Sequence, residues 1–147
     1  MQLFEKIIKI QNKKIGINQK TFVIAEIGVN HCGKLGLAKK MINQAIKAGA
    51  DAVKFQTFQA ENLASLNTPK VKYQLKNSSK RESHYQMLKS LELTKTNHLK
   101  LFRYCQKKGI IFLSTPYDKN SAVFLNKLGC SAFKTASADI VDLELHN

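Results

Sequence analysis

Apolar residues fall along this chain in two alternating rhythms. Short runs of four to seven apolar positions are separated by longer stretches in which apolar residues recur every three or four. Thr21–Ile27, Ala52–Phe58, Ile110–Ser114 and Ala132–Ala136 are the runs, and they predict strands. Between them, Ala38, Met41, Ile42 and Ala45 lie at i, i+3, i+4 and i+7, which predicts a helix over 37–48 closed by Gly49. Tyr85–Leu91 reads as a short helix. Lys95–Lys108 reads as a longer one, with Thr94 as its N-cap and Gly109 at its end. Asp118 caps a further helix through Leu128, stopped by Gly129. Residues 1–20 read as a β-hairpin, with Phe4–Ile10 and Lys14–Ile17 flanking a turn at Gln11 and Asn12. The polar stretch 59–83, with Pro69 and Asn77-Ser78-Ser79, is longer than most connections. It reads as a substrate-covering loop or an insertion.

The order after the hairpin is β-α-β-α-β-α-β, which calls for a parallel sheet. The polar residues choose between the parallel architectures. Phe22–Ile27 runs into Gly28, Asn30 and His31 and contains Glu26. The second run carries Lys54 and Gln56, the third ends on Ser114-Thr115-Pro116, and the fourth on Lys134-Thr135-Ala136-Ser137-Ala138-Asp139. A doubly wound nucleotide-binding sheet wants a glycine-rich fingerprint after its first strand, and Gly28–Gly33 is not one. Chemistry spread over the C-terminal ends of several strands is the mark of a TIM-type (β/α) barrel. Four strands are about half of such a barrel, so the chain is a half-barrel, a truncated one, or one that pairs with another half.

At 147 residues the chain is one domain by size. No apolar run approaches the roughly 20 residues of a membrane span. Met1–Lys14 lacks the continuous apolar core of a secretory signal. Cys32, Cys105 and Cys130 are odd in number and form no zinc spacing, which points to reduced thiols in a cytoplasm. The formal charge is +14. The lysines are scattered, with no basic tail and no basic–aromatic interleaving, so a phosphate- or carboxylate-bearing small molecule is the expected partner rather than nucleic acid.

Ala25-Glu26-Ile27-Gly28-Val29-Asn30-His31, Val53-Lys54-Phe55-Gln56-Thr57, Ser114-Thr115-Pro116 and Lys134–Asp139 resemble, in order and spacing, the sialic acid synthase family of N-acetylneuraminate, legionaminate and pseudaminate synthases. The resemblance runs from about residue 20 to the C-terminus. It implies that residues 21–147 are the N-terminal half of the barrel, with the C-terminal half and the antifreeze-like domain absent. It implies a reaction in which phosphoenolpyruvate condenses with the open-chain aldehyde of an N-acyl-mannosamine-type sugar, releasing phosphate. A divalent metal, manganese or magnesium, would polarise the aldehyde, and the full-length form would be a homodimer. By the same resemblance Glu26 is the catalytic carboxylate. Lys54, Thr115, Lys134 and Ser137 would bind phosphoenolpyruvate, and Gln56 and Asp139 would contact the sugar and order the site. Asn30 and His31 shape the loop. The family's metal-binding histidines lie on later strands, so no metal ligand is expected here, and His31, His84, His98 and His146 form no ligand set by spacing. Two other readings stand beside this one: an inactive remnant or subunit that needs a separate C-terminal half, and a related 3-deoxy-sugar acid phosphate synthase.

Overall fold

The computed structural model describes residues 7–66, 69 and 82–146. Strands β1 (Ile7–Ile10) and β2 (Lys13–Gly16) form the antiparallel hairpin, turning at Gln11 and Asn12. Gln11 adopts a φ of 53° there. The main sheet is parallel and holds β3 (Ile24–Gly28), β4 (Ala52–Thr57) and β5 (Ile111–Pro116) in the order β3-β4-β5. Neighbours in space are therefore neighbours in sequence. The parallel bridge from Ser114 to Phe133 continues that order to the next segment, as a barrel winds, whereas a doubly wound sheet would return its fourth strand to the side of the first.

Helix α1 (Leu35–Lys47) links β3 to β4. The connection from β4 to β5 carries α2 (Ala60–Leu63), α3 (His84–Leu91) and α4 (Lys95–Lys108), and α5 (Lys119–Leu128) follows β5. A 3-10 turn (Ser137–Val141) and α6 (Leu143–His146) come last. Local chemistry sets the helix ends. Thr94 accepts a hydrogen bond from the Asn97 N–H and Asp118 from the Ser121 N–H. Ser83 and Gln86 form a reciprocal capping box at α3. Gly109 and Gly129 close α4 and α5 in the left-handed region, where a side chain would be strained.

One face of the sheet is packed. Ile27, Val53, Phe55 and Phe112 meet Ala38, Ile42 and Ala45 of α1, Leu101, Phe102 and Cys105 of α4, and Leu125 of α5. Phe55 stacks on Phe112 at 5.2 Å, and Phe102 meets Phe112 edge-on at 5.8 Å. The other face has a smaller apolar patch at the N-terminal ends of the strands, where Ile10, Phe22 and Ala132 cover Ala52, Ile111 and Leu113. The hairpin is tied there by Lys13, which pairs with Asp51 at 2.7 Å, and by Gln11, which donates to Ser131 Oγ. Asp51 also accepts from the Val23 N–H.

Three expectations are revised. The first strand starts at Ile24 rather than Thr21, because Phe22 turns into the apolar patch while the Val23 carbonyl accepts from Asp51 and Ala52. The fourth strand is not formed as a ladder: one parallel bridge joins Ser114 to Phe133. Residues 133–135 are exposed, and Phe133 and Thr135 carry β propensity, but among the described residues no strand pairs with them on the far side. The third revision is at the end of β5, where the ladder runs two residues beyond Ser114, through Thr115 and Pro116. Most of the long polar stretch, residues 67–68 and 70–81, lies outside the described residues, as does the hairpin's beginning at 4–6.

Candidate active site

Side chains alternate across a strand, so the packed face of β4 takes Val53, Phe55 and Thr57 and leaves Ala52, Lys54 and Gln56 to the inner face. Register then decides the neighbours. Glu26 sits opposite Lys54, Lys54 opposite Leu113, and Gln56 opposite Thr115. The inner face thus carries an acid–base pair and, one step toward the C-terminal ends, an amide beside a hydroxyl.

Glu26 and Lys54 form a direct ion pair. The lysine side chain is largely covered, at 15% exposure, and the glutamate side chain is half open, at 49%. The other acid near the second strand in sequence, Asp51, is engaged by Lys13 and the Val23 N–H, which hold its carboxyl below the usual range. The ladder slips between Glu26 and Gly28, so that Gly28 comes beside Phe55. Gly28 has a φ of 54°, and a Cβ built on it would lie 3.2 Å from Glu26 Oε1 and 3.7 Å from Gln56 Nε2. The left-handed backbone favours glycine there, and a Cβ would press on the end of the Glu26 side chain.

Lys134, Ser137 and Asp139 lie on the segment that follows the Ser114–Phe133 bridge. Lys134 and Ser137 are exposed; Asp139 is half-buried in the 3-10 turn, with Oδ2 buried and lacking a hydrogen-bond partner. The strands thus gather Glu26, Lys54, Gln56 and Thr115 through ladder contacts. The last three predicted residues reach the same edge only through a single bridge.

The loop after β3 is shaped by His31. Its ring is buried, and Nδ1 accepts a hydrogen bond from the Gly33 N–H at 3.0 Å. The neutral ring therefore carries its proton on Nε2. Burial, with a smaller repulsion from His98, pushes His31 down to about 4 against a weaker pull from the Gly28 carbonyl. Gly33 has a φ of 68° and backs onto the Ser90 carbonyl, 2.5 Å from where a Cβ would stand.

Sequence reasoning passed over a buried polar cluster on the packed face: Thr57, Ser114 and His98. His98 shares a stripe with Leu101, Phe102 and Cys105, all buried, and that spacing marks it as inward-facing. Thr57 and Ser114 have the strand parity opposite to Gln56 and Thr115.

Among the described residues no group of three or more His, Cys, Asp or Glu converges as metal ligands, and no helix is long and apolar enough to cross a membrane.

With this geometry in view, the likeness to known proteins is specific. The chain is 48% identical over 125 residues to the N,N'-diacetyllegionaminic acid synthase of Campylobacter jejuni, covering 85% of this chain and 37% of that protein. It is 42% identical over 131 residues to the synthase of the same name from Legionella pneumophila, covering 89% and 37%. It superposes on the crystal structure of the N-acetylneuraminic acid synthetase of Leptospira borgpetersenii with a TM-score of 0.80 and 36% identity, covering 95% of this chain and 44% of that one. The chain thus spans little more than a third of the length of these curated relatives, and its fold is a partial β/α barrel. Residues 41–147 match the NeuB family, and the chain belongs to it.

Proposed function

We propose that this chain is the N-terminal half of a nonulosonic acid synthase and carries part of its phosphoenolpyruvate site. The supporting observation is the Glu26–Lys54 pair on the inner face of a parallel sheet, with Gln56 and Thr115 one step further toward the strand ends. In the reaction the enol carbon of phosphoenolpyruvate attacks the aldehyde carbon of an N-acyl-mannosamine-type sugar, forming the C–C bond. Water adds at C2, and inorganic phosphate leaves.

Lys54 has a specific part in this scheme. Without ligand its charge is matched by Glu26. An incoming trianion competes for that ammonium through charge-assisted hydrogen bonds. Once Lys54 turns to the substrate, Glu26 loses its counter-charge and becomes the better acceptor for a proton from the attacking water. Thr115 supplies a hydroxyl, and Lys134 and Ser137 add a second cation and a donor from the neighbouring segment. Gln56 and Asp139 face the sugar. The divalent metal implied by the resemblance has no ligand set among the described residues, and no step is assigned to it.

Calorimetric titration of the chain with phosphoenolpyruvate tests this reading. Loss of one charged contact is worth about 1.5–3 kcal/mol, so Lys54→Ala should weaken binding at least tenfold. Equal affinity in both proteins would sink the assignment.

A second reading, a subunit completed by a separate C-terminal half, has its own support. Ile24 and Phe133 are large apolar residues left about half exposed. Phosphate release from phosphoenolpyruvate, manganese and an N-acyl amino sugar only after adding such a half would favour it. Release by the chain alone would exclude it.

A further inference from the structure

Behind Gln56 and Thr115, on the opposite face of the same two strands, lies the buried polar cluster. Thr57 Oγ1 is 2.7 Å from Ser114 Oγ and 3.0 Å from His98 Nε2. His98 Nδ1 is 3.2 Å from the Thr94 carbonyl. Thr57, Ser114 and His98 are all buried.

The direction of every bond follows from that carbonyl. It can only accept, so His98 Nδ1 carries a proton and donates to it. Burial disfavours the charged ring, so His98 is neutral and Nε2 is an acceptor. The Thr57 hydroxyl has one proton and gives it to Nε2. Ser114 must then donate to Thr57. A one-way chain thus runs Ser114 to Thr57 to His98 to Thr94.

Its placement across the ladder is unusual in a useful way. Phe55 is the register partner of Ser114, and Pro116 is the partner of Thr57. The Thr57–Ser114 bond therefore crosses the β4–β5 ladder on the diagonal. The ladder already fixes the register from Ala52–Ile111 to Thr57–Pro116; the diagonal bond adds a side-chain tie at its C-terminal end, between the residues next to Gln56 and Thr115. Valine and alanine would fill this space without leaving polar groups to satisfy. Two hydroxyls and an imidazole add direction.

We propose that His98, Thr57 and Ser114 form a positioning relay that holds the C-terminal ends of β4 and β5 against each other within the register the ladder sets, and so fixes the fine placement of Gln56 against Thr115. The inference rests on the proposed reading of Gln56 and Thr115 as substrate-facing. None of the three relay residues touches substrate.

Thr57→Val keeps the shape and removes the hydroxyl; Thr57→Ser keeps the hydroxyl. NMR of the chain reads the Gln56 side-chain amide and the Thr115 methyl, while titration with phosphoenolpyruvate reads affinity. Thr57→Val should shift both signals and weaken binding about fivefold or more, with helix content unchanged, and Thr57→Ser should restore both. A Thr57→Val protein that melts lower but keeps wild-type Gln56 and Thr115 signals would overturn the relay and leave a space-filling cluster. Should Thr57→Val fail to fold, Ser114→Ala removes only the diagonal bond, and an unmoved Thr115 methyl would overturn the proposal equally. If the unaltered chain does not bind phosphoenolpyruvate, the functional reading falls, and the Gln56 and Thr115 signals still decide the relay.

Discussion

The two faces of the β3–β5 sheet obey different rules although they share the same strands. Toward the helices, Val53, Phe55 and Phe112 are buried among apolar groups, and the polar groups there are neutral and bonded to one another. Toward the interior, Glu26 and Lys54 are charged, partly wet and matched chiefly to each other. Burial energy on the first face holds the strands along their length, whereas on the second the apolar cover is confined to the N-terminal ends and the charged pair beyond it contributes little to folding. An ion pair partly out of water roughly breaks even against apolar residues of similar size. The main apolar packing and the charged pair thus lie on opposite sides of one layer.

Substitutions on each side can break that division. The largest loss is expected from Phe55→Ala. Phe55 is fully buried and stacks on Phe112, so truncation should cost about 3–5 kcal/mol, read from the urea midpoint. A cost below about 1 kcal/mol would mean that the packed face does not hold the sheet.

Acid attacks the same face through its histidines. His31 ordinarily titrates at 6.5 and is held near 4 in the fold, and burial lowers His98 too. Between those values the unfolded chain binds protons that the folded chain refuses. Stability from this source is therefore complete above about pH 6.5 and falls as pH drops toward 4. Allowing for solvent screening at the loop, the His31 part should be about 2 kcal/mol. Denaturant midpoints at pH 7, 5.5 and 4.5 would show it, and a flat profile from 7 to 5 would contradict the buried, neutral assignment.

Gly28→Ala is expected to cost about 1–2 kcal/mol from its left-handed backbone alone. It should also weaken ligand binding by crowding Glu26 and Gln56. The smallest effect on stability belongs to Lys54→Met, within about 1 kcal/mol of the unaltered chain because the Glu26 side chain left behind is half open to water, with phosphoenolpyruvate binding weakened at least tenfold. A large stability loss there would erase the distinction between the faces.

What was legible beforehand follows the same division of causes. Caps at Thr94 and Asp118 and stops at Gly109 and Gly129 are local, and their side chains act within a turn of the helix end. The inner-face positions of Lys54 and Gln56 were readable because two polar residues alternate with apolar ones in a single strand. The partner of Lys54 was not. Asp51 lies closer in sequence, yet Lys13 of the hairpin, 38 residues away, claims it. His98 looked like an ordinary helix position, because its value depends on hydroxyls 41 and 16 residues distant in the chain that only the sheet brings together. The strand expected at 132–136 has two residues suited to a sheet, Phe133 and Thr135, among Ala132, Lys134 and Ala136, which are not; a strand exists by pairing, and one bridge at Phe133 is all the pairing it finds among the described residues.

The slipped ladder at Gly28 has an implication for how such a site changes over generations. The space beside Glu26 and Gln56 is kept open by a missing atom rather than by a particular side chain. Most positions around a binding site can be tuned by degrees, one methylene at a time. Position 28 offers less of that gradation, because the first carbon added meets an unfavourable backbone and presses on the Glu26 carboxylate. Changes to the surroundings of Glu26 and Gln56 therefore come at lower cost from the side chains around them than from residue 28.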